Sequence, residues 1–372
     1  MRKKYKVALL SAGMIMDFAH IPAYKNLPEA FEICAICDIR LQAAQVIAEK
    51  HNIPGVYTDY EQMLEEIKPD IVSVCTPNSF HAEQTITALR HGAHVICEKP
   101  LALKYSDAVK IFDEARAAKR HVFPCQSARF TKEFLPAKEI VSAGELGGIY
   151  YGDITCVRRR GVPDWGTFHI KENSGGGAFC DIGVHVFDFF LWSVGNPRLK
   201  SISGEMTTKI SNKPNQLLTS LAASGAPKGV TAPREFDYRE FDNEEFACGF
   251  ARFEGDISVN FKVAWVLNHP EESRINIIGD RGGLSVPEMK LHSSLGRYQA
   301  DISPIIPDDP IYTKEFYGHW RLFEQVLKAL DGEAPPPVTP EEALNVAAVI
   351  EGFYRSAEMG REVFAEELVE VK

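Results

Sequence analysis

Three side chains carry most of the chemistry this sequence offers: Lys99, Asp181 and His185. Lys99 sits in Glu98-Lys99-Pro100, directly after the apolar run 93–97, which reads as a buried strand. An ammonium at the end of such a strand is costly to bury without a carboxylate. Two readings stay open for it: a structural ion pair, or a lysine in the crevice at the carboxyl end of a parallel sheet, where open α/β sheets bind ligands. Glu98 is a poor partner for it if both continue the strand, because neighbours on a strand face opposite ways. Asp181 and His185 follow Gly175-Gly176-Gly177 at a spacing of four, on one face of an expected helix. A carboxylate beside an imidazole fixes its tautomer and raises its basicity, giving a general base near neutral pH. The same pair also serves as a plain structural hydrogen bond. The glycine run before it would let a ligand approach the backbone. Metal motifs use this spacing too, but no third ligand accompanies it, so no metal is expected.

The elements around Lys99 alternate. Residues 6–10, 31–37, 70–75, 93–97 and 121–125 read as strands; stretches to about 26 and at 41–50, 60–67, 80–91 and 106–119 read as helices. Such alternation predicts a parallel, doubly wound sheet. The turn after the first strand, Ser11-Ala12-Gly13-Met14-Ile15-Met16, stands where a G-x-G-x-x-G phosphate cradle belongs, with only the middle glycine kept. Gly13 lets the backbone approach a pyrophosphate, and the helix that starts there aims its N–H groups at the phosphates. Ser11 takes the first glycine's place and adds a hydroxyl, while Met16 replaces a small packing residue, so the packing there must be looser or rearranged. Asp38 lies 38 − 13 = 25 residues beyond Gly13, close to the offset of about 20 for a carboxylate on an adenosine ribose. It favours NAD over NADP, with Arg40 able to soften that preference; Asp38 could equally cap the 41–50 helix. Thr76, Asn78 and Lys99 fall at strand carboxyl ends, on the same edge as Gly13. That convergence is the main argument for a dinucleotide site.

Beyond Gln126 the pattern changes. Strands at 149–158, 199–209, 246–253, 257–266 and 275–278 have few helices between them, which predicts a second α+β domain with a mostly antiparallel sheet. The expected boundary divides 1–125 from 126–372. Residues 211–245 are polar and rich in Pro and Gly and read as a long loop; 317–330 and 340–359 read as helices. Arg158-Arg159-Arg160 is either a solvated rim or a contact for an anion or another subunit. Trp165 and His169 lie in the following loop and could line a pocket.

Composition narrows the function. The 372 residues carry a formal charge of −10, which argues against nucleic acid or an anionic membrane as the main partner. No apolar run approaches the ~20 residues of a membrane span, and the basic start runs into a first strand, not a signal peptide. The eight cysteines are scattered, most in apolar runs, as reduced cytoplasmic thiols are. Cys34 and Cys37 form a C-x-x-C, but on a strand they face opposite ways and no second pair completes a zinc site.

With these pieces in place, the chain resembles the Gfo/Idh/MocA oxidoreductases along nearly its whole length. The matching pieces are the turn Ser11–Met16, His20-Ile21-Pro22-Ala23, Asp38, Thr76-Pro77-Asn78 with His81, Glu98-Lys99-Pro100, and the glycine run leading to Asp181 and His185. The resemblance implies a Rossmann domain followed by a mixed-sheet domain whose open face builds homodimers or homotetramers. It also implies a small sugar or polyol as substrate, with reversible hydride transfer to NAD, NADP being the second choice. Lys99, Asp181 and His185 would form the catalytic group, and Ser11, Gly13, Met14, Ile15, Asp38, Arg40, Thr76, Pro77, Asn78, His81, Glu98 and Gln126 would hold the cofactor. Arg129, Trp165 and His169 would reach the substrate. Pro100, in a cis or trans bond, would shape the turn. Two alternatives remain within the same resemblance: a redox-neutral enzyme that cleaves glycosides through transient oxidation, and a sensor that binds NAD without catalysis.

Overall fold

The structure, a computed structural model, describes residues 4–214, 224, 226–227, 230 and 234–369. Part of the loop expected at 211–245 therefore lies outside the described residues. The chain forms two compact units, one of residues up to 103, 107–130 and 310–343, the other of 104–106, 131–309 and those from 344 on.

The first unit is built on six strands: β1 Tyr5–Leu10, β2 Phe31–Cys37, β3 Gly55–Tyr57, β4 Ile71–Val74, β5 His94–Cys97 and β6 Val122–Pro124. They lie in the order β3-β2-β1-β4-β5-β6, all parallel. This is the doubly wound sheet expected, with its order reversing between β1 and β4, where such sheets bind ligands. The apolar runs are continuous because both faces are covered: every residue of β4 is buried. The short β3 escaped the sequence reading, since three half-buried residues carry no periodic signal.

The helices of this unit are α1 Ile21–Lys25, α2 Leu41–His51, α3 Tyr60–Ile67, α4 His81–Arg90 and most of α5 Tyr105–Ala118. Ahead of α1 runs a π-helical turn, Met16–His20. The widened turn carries a fully buried Met16, so the rearranged packing expected around this residue takes the form of an inserted residue. The unit also holds a helix from the far end of the chain, Tyr317–Leu330. Its buried face carries His319, and Leu322, Phe323, Val326 and Ala329 join the core of β1, β2 and α1. Burying each such aliphatic or aromatic side chain contributes about 1.5–3 kcal/mol. Gly318 makes the approach possible, since a Cβ there would stand 2.5 Å from the Ser127 carbonyl. A boundary at 125/126 thus separates the two sheets but leaves out this returning segment, whose place is set by long-range packing.

The second unit holds a nine-stranded sheet. Its strands are β7 Ile149–Val157, β8 Leu199–Thr207, β9 Phe246–Phe253, β10 Ser258–Ala264, β11 Glu272–Gly279, β12 Gly283–Val286, β13 Lys290–Leu295, β14 Tyr298–Ile302 and β15 Val363–Phe364. The order is β14-β13-β12-β11-β7-β10-β9-β8-β15. Only β7 and β10 pair in parallel among these strands, so the sheet is mixed and mostly antiparallel, as expected. The five strands read from sequence are β7 to β11; β12 to β15 are short or largely exposed and escaped the reading. The helix Val184–Ser193 and the long helix Pro340–Met359 bring Phe187, Phe190 and Phe353 into its core. All eight cysteines are free thiols, and among the described residues no helix is long and apolar enough to cross a membrane.

Candidate active site

In the first unit the site residues sit in the loops that leave the carboxyl ends of the parallel strands. After β1, Ser11 takes a left-handed conformation (φ 90°) that favours glycine. Its hydroxyl accepts from the Gly13 N–H at 3.1 Å, so the serine closes the tight turn a glycine would otherwise make. After β2, Asp38 is buried and accepts from the Ala12 N–H (2.9 Å) and from the Arg40 N–H and Nε (2.9 and 3.2 Å). Asp38 does not cap α2; the residue at that position is Arg40, which makes no side-chain cap. The carboxylate instead ties the strand end to the Gly-containing turn, where a ribose-binding acid belongs.

After β4, the Thr76 hydroxyl donates to Gln84 Oε1 at 2.6 Å. His81 is fully buried, and its ring nitrogens face the carbonyls of Pro100 (2.7 Å) and Thr76 (2.8 Å). Two carbonyls accept from both nitrogens only if the ring is an imidazolium. Burial pushes this group down, but the Cys97 sulfur and the two carbonyls outweigh it and lift it to about 9. His81 therefore fastens the β4 loop to the β5 loop; both its nitrogens are spent on backbone.

After β5, Lys99-Pro100 is a cis peptide and Lys99 is half-buried. Glu98 does not turn toward a lysine. Its Oε1 meets His20 Nε2 at 3.0 Å and His319 Nε2 at 3.1 Å, and its Oε2 accepts from the Lys99 N–H at 3.1 Å. Burial would raise the carboxyl, but the two imidazoles outweigh it and hold Glu98 well below the usual carboxylate range. His20 continues through Nδ1 to the Ser73 hydroxyl (3.2 Å), which meets the Tyr24 hydroxyl at 2.7 Å. Of this network the sequence offered Glu98 and, within a motif, His20. His319 gave no signal, standing 221 residues beyond Glu98.

After β6, Gln126 is buried and its side-chain carbonyl has no partner. An orphaned buried acceptor at this edge is what a bound amide or hydroxyl would satisfy. Arg129, expected to reach the substrate, is 1% exposed and pairs with Glu342 at 2.9 Å and the Pro337 carbonyl at 3.2 Å. Its charge serves this buried tie.

In the second unit, Asp181 lies in a π-helical turn, Phe179–Gly183, that runs into the helix carrying His185. The Trp265 indole N–H donates to Asp181 Oδ2 at 2.9 Å. Trp265 is fully buried and fixes the carboxylate; no local spacing could have paired it with a residue 84 positions away. The glycine run differs from its expected role. A Cβ on Gly176 would stand 2.1 Å from the Tyr354 hydroxyl, and one on Gly177 2.0 Å from the Glu244 carbonyl. These glycines admit the protein's own groups. Glu244 accepts from the Gly177 N–H (2.8 Å), the Phe179 N–H (2.9 Å) and the Tyr354 hydroxyl (2.8 Å). Burial nevertheless pushes its carboxyl up.

His169 is fully buried between Phe236 (4.7 Å between rings) and Phe241, which in turn meets Trp265 edge-on at 6.4 Å. Burial and Arg234 push its imidazole down, so it stands neutral in this aromatic row. Trp165 is buried beside Phe168. Arg158 and Arg160 donate to the Gly161 carbonyl and to Asn268.

A doubly wound sheet with a Gly-containing first turn, an acid after β2 and an orphaned acceptor after β6 defines a dinucleotide-binding protein. The comparisons agree. Residues 5–125 match the profile of the oxidoreductase family with an NAD-binding Rossmann fold, and residues 134–285 match the GFO/IDH/MocA C-terminal domain. The chain belongs to the Gfo/Idh/MocA oxidoreductase family and is an NAD-dependent oxidoreductase. It is 31% identical over 361 residues to D-glucoside 3-dehydrogenase of Escherichia coli, covering 96% of this chain and 97% of that protein. It shares its fold with an oxidoreductase domain protein from Kribbella flavida (TM-score 0.80, 21% identity, covering 97% and 99% of the two chains). It also shares it with the WlbA dehydrogenase of Bordetella pertussis, solved with NADH and UDP-GlcNAcA (TM-score 0.75, 21% identity, 97% and 99%).

Proposed function

We propose that this chain oxidises a secondary alcohol of a glucoside or related sugar, or reduces the matching ketone. The observation that carries this reading is the likeness, over almost the full length of both chains, to a protein named D-glucoside 3-dehydrogenase. NAD supplies the hydride acceptor when bound. The Ser11–Ile15 turn would hold its pyrophosphate, Asp38 and Arg40 its adenosine ribose, and Thr76, Pro77, Asn78 and Gln126 the nicotinamide half, with His81 and Glu98 shaping those loops. His185 takes the proton of the reacting hydroxyl, and Asp181, held by Trp265, keeps the imidazole oriented and basic. Lys99 donates to the same oxygen and stabilises its developing negative charge, where a fixed donor acts strongly. With the hydride acceptor that NAD would supply, passage of the hydroxyl proton to His185 would leave a ketone.

The nine-stranded sheet supports assembly as a homodimer or homotetramer. One side carries a ladder of polar groups, in which the exposed Asn260 and the half-buried Asn276 donate to Asp153 at 3.2 and 3.5 Å. Light scattering on the purified protein tests that. Its free thiols fit a cytoplasmic site.

The decisive experiment follows reduced nicotinamide absorbance over a panel of glucosides, free sugars and inositols, with NAD and NADP separately. Turnover of a glucoside with NAD, lost by at least about a thousandfold in Lys99→Met or His185→Ala, is the expected result. Glycoside cleavage without net reduction, or tight NAD binding with no turnover on the panel, would replace this reading with one of the two alternatives.

A further inference from the structure

The cluster around Glu98 has a composition that hydrogen bonding alone does not explain. His20, Glu98, Cys125 and His319 each offer one ligand atom, these atoms all lie within 4.8 Å of one another, and all four residues are buried. They come from four places: the π-helical turn before α1, the ends of β5 and β6, and the helix Tyr317–Leu330. Three of the six edges of the cluster are 3.0 Å (His20 to Glu98), 3.1 Å (His319 to Glu98) and 3.8 Å (Cys125 to His20). Metal–nitrogen and metal–oxygen bonds of about 2.0–2.2 Å and a metal–sulfur bond of about 2.3 Å give tetrahedral edges of about 3.3–3.6 Å. These three edges bracket that range. His20 Nε2 faces both a carboxylate oxygen and a sulfur, and one N–H serves only one of them well. A cation at the centre would serve all four groups.

We propose that His20, Glu98, Cys125 and His319 form a tetrahedral binding site for a divalent cation of the zinc class. Imidazole, thiolate and carboxylate are each donors that zinc takes. The surroundings match such a site. Glu98 binds through Oε1 alone, because Oε2 is held by the Lys99 N–H. His20 has its other nitrogen against Ser73, itself set by Tyr24, and an outer partner of this kind fixes a ligating imidazole. Phe323 lies edge-on over His20 at 5.2 Å. Four protein ligands leave no position open, so the ion is structural. It would join a helix from near the end of the chain to the strand ends, and hold the residue directly before Lys99.

The test uses the untagged full-length protein, grown in zinc-supplemented medium and purified without chelator, and in parallel in cobalt-supplemented minimal medium. Elemental analysis should find about one zinc per chain. The cobalt form should show the intense visible bands of a tetrahedral ion and a near-ultraviolet thiolate charge-transfer band. Cys125→Ser should lose the charge-transfer band. Metal below about a tenth of an equivalent in both preparations would overturn the proposal and leave a hydrogen-bonded network only. Bound cobalt without a thiolate band would overturn it as well, since the ion would then sit elsewhere. Neither readout depends on turnover.

Discussion

Glu98 and Glu244 are both glutamates, each 6% exposed, one in each unit, and they are pushed in opposite directions. Both are well supplied with partners. Glu98 faces two imidazoles and one amide N–H; Glu244 faces two amide N–H groups and a phenol. Burial works against the charged form at both. What differs is whether the partners can carry positive charge. The imidazole pair can, through a proton held on one of the two rings or a cation they share, although burial and the neighbouring His319 push His20 down, so Glu98 stays ionised. Neutral dipoles cannot, so burial wins at Glu244. The count of hydrogen bonds does not set the state of a buried acid; the charge available to its partners does.

Replacing each glutamate by its neutral isostere tests this contrast. Glu98→Gln removes the buried carboxylate that two imidazoles face, and should cost about 3–5 kcal/mol at neutral pH. Glu244→Gln keeps one acceptor but turns an NH2 group toward an N–H, and should cost about 1–3 kcal/mol. Urea unfolding of both variants measures the difference, and equal losses would erase the distinction. The pH dependence of the smaller effect goes further. A carboxyl raised by folding contributes stability that is present below the unfolded value, about 4.3, and is lost as pH rises through the folded one. The cost of Glu244→Gln should therefore shrink as pH climbs from about 4 toward neutrality. A cost that grows instead would show that the pocket favours the ionised form.

The same two units differ in how much of them could be read from sequence. The parallel strands β1, β2, β4, β5 and β6 and the strands β7 to β11 of the second sheet announced themselves as apolar runs, because a buried strand needs little else. Lys99, Asp38 and the Gly13 turn followed, since in a doubly wound sheet the loop after a strand is where ligands bind. What was hidden depends on distance along the chain. His319, Trp265 and Glu342 meet Glu98, Asp181 and Arg129 only through packing. The glycine run misled for a related reason. A missing Cβ signals a close approach but does not say whether a ligand, Tyr354 or Glu244 makes it.

The two glycine turns test that last point. In Gly177→Ala the new methyl group would lie 2.0 Å from a backbone carbonyl, which cannot move without shifting the chain. About 2–3 kcal/mol of stability should go, seen as a lower unfolding midpoint. In Gly13→Ala the nearest group is the Ser11 Oγ, at 3.2 Å, the end of a small side chain that can turn away. Stability should then change by less than about 1 kcal/mol, while NAD affinity measured by calorimetry falls. A matching drop in the midpoint for both would mean that the first turn, too, is built for the protein's own packing.

The smallest effect belongs to Ser11→Gly. The serine holds φ 90°, a conformation that costs an L-residue roughly 1–2 kcal/mol, and glycine removes that strain. Two terms oppose the gain. The Gly13 N–H loses its 3.1 Å acceptor, although this amide is only half-buried and water can replace it. Glycine also loses about 0.5–1 kcal/mol more entropy on folding. The balance should be a gain of no more than about 1 kcal/mol, read as a small rise in the unfolding midpoint. A loss of that size would mean that the hydroxyl bridge outweighs the strain, and that the departure from glycine at this turn stabilises the fold.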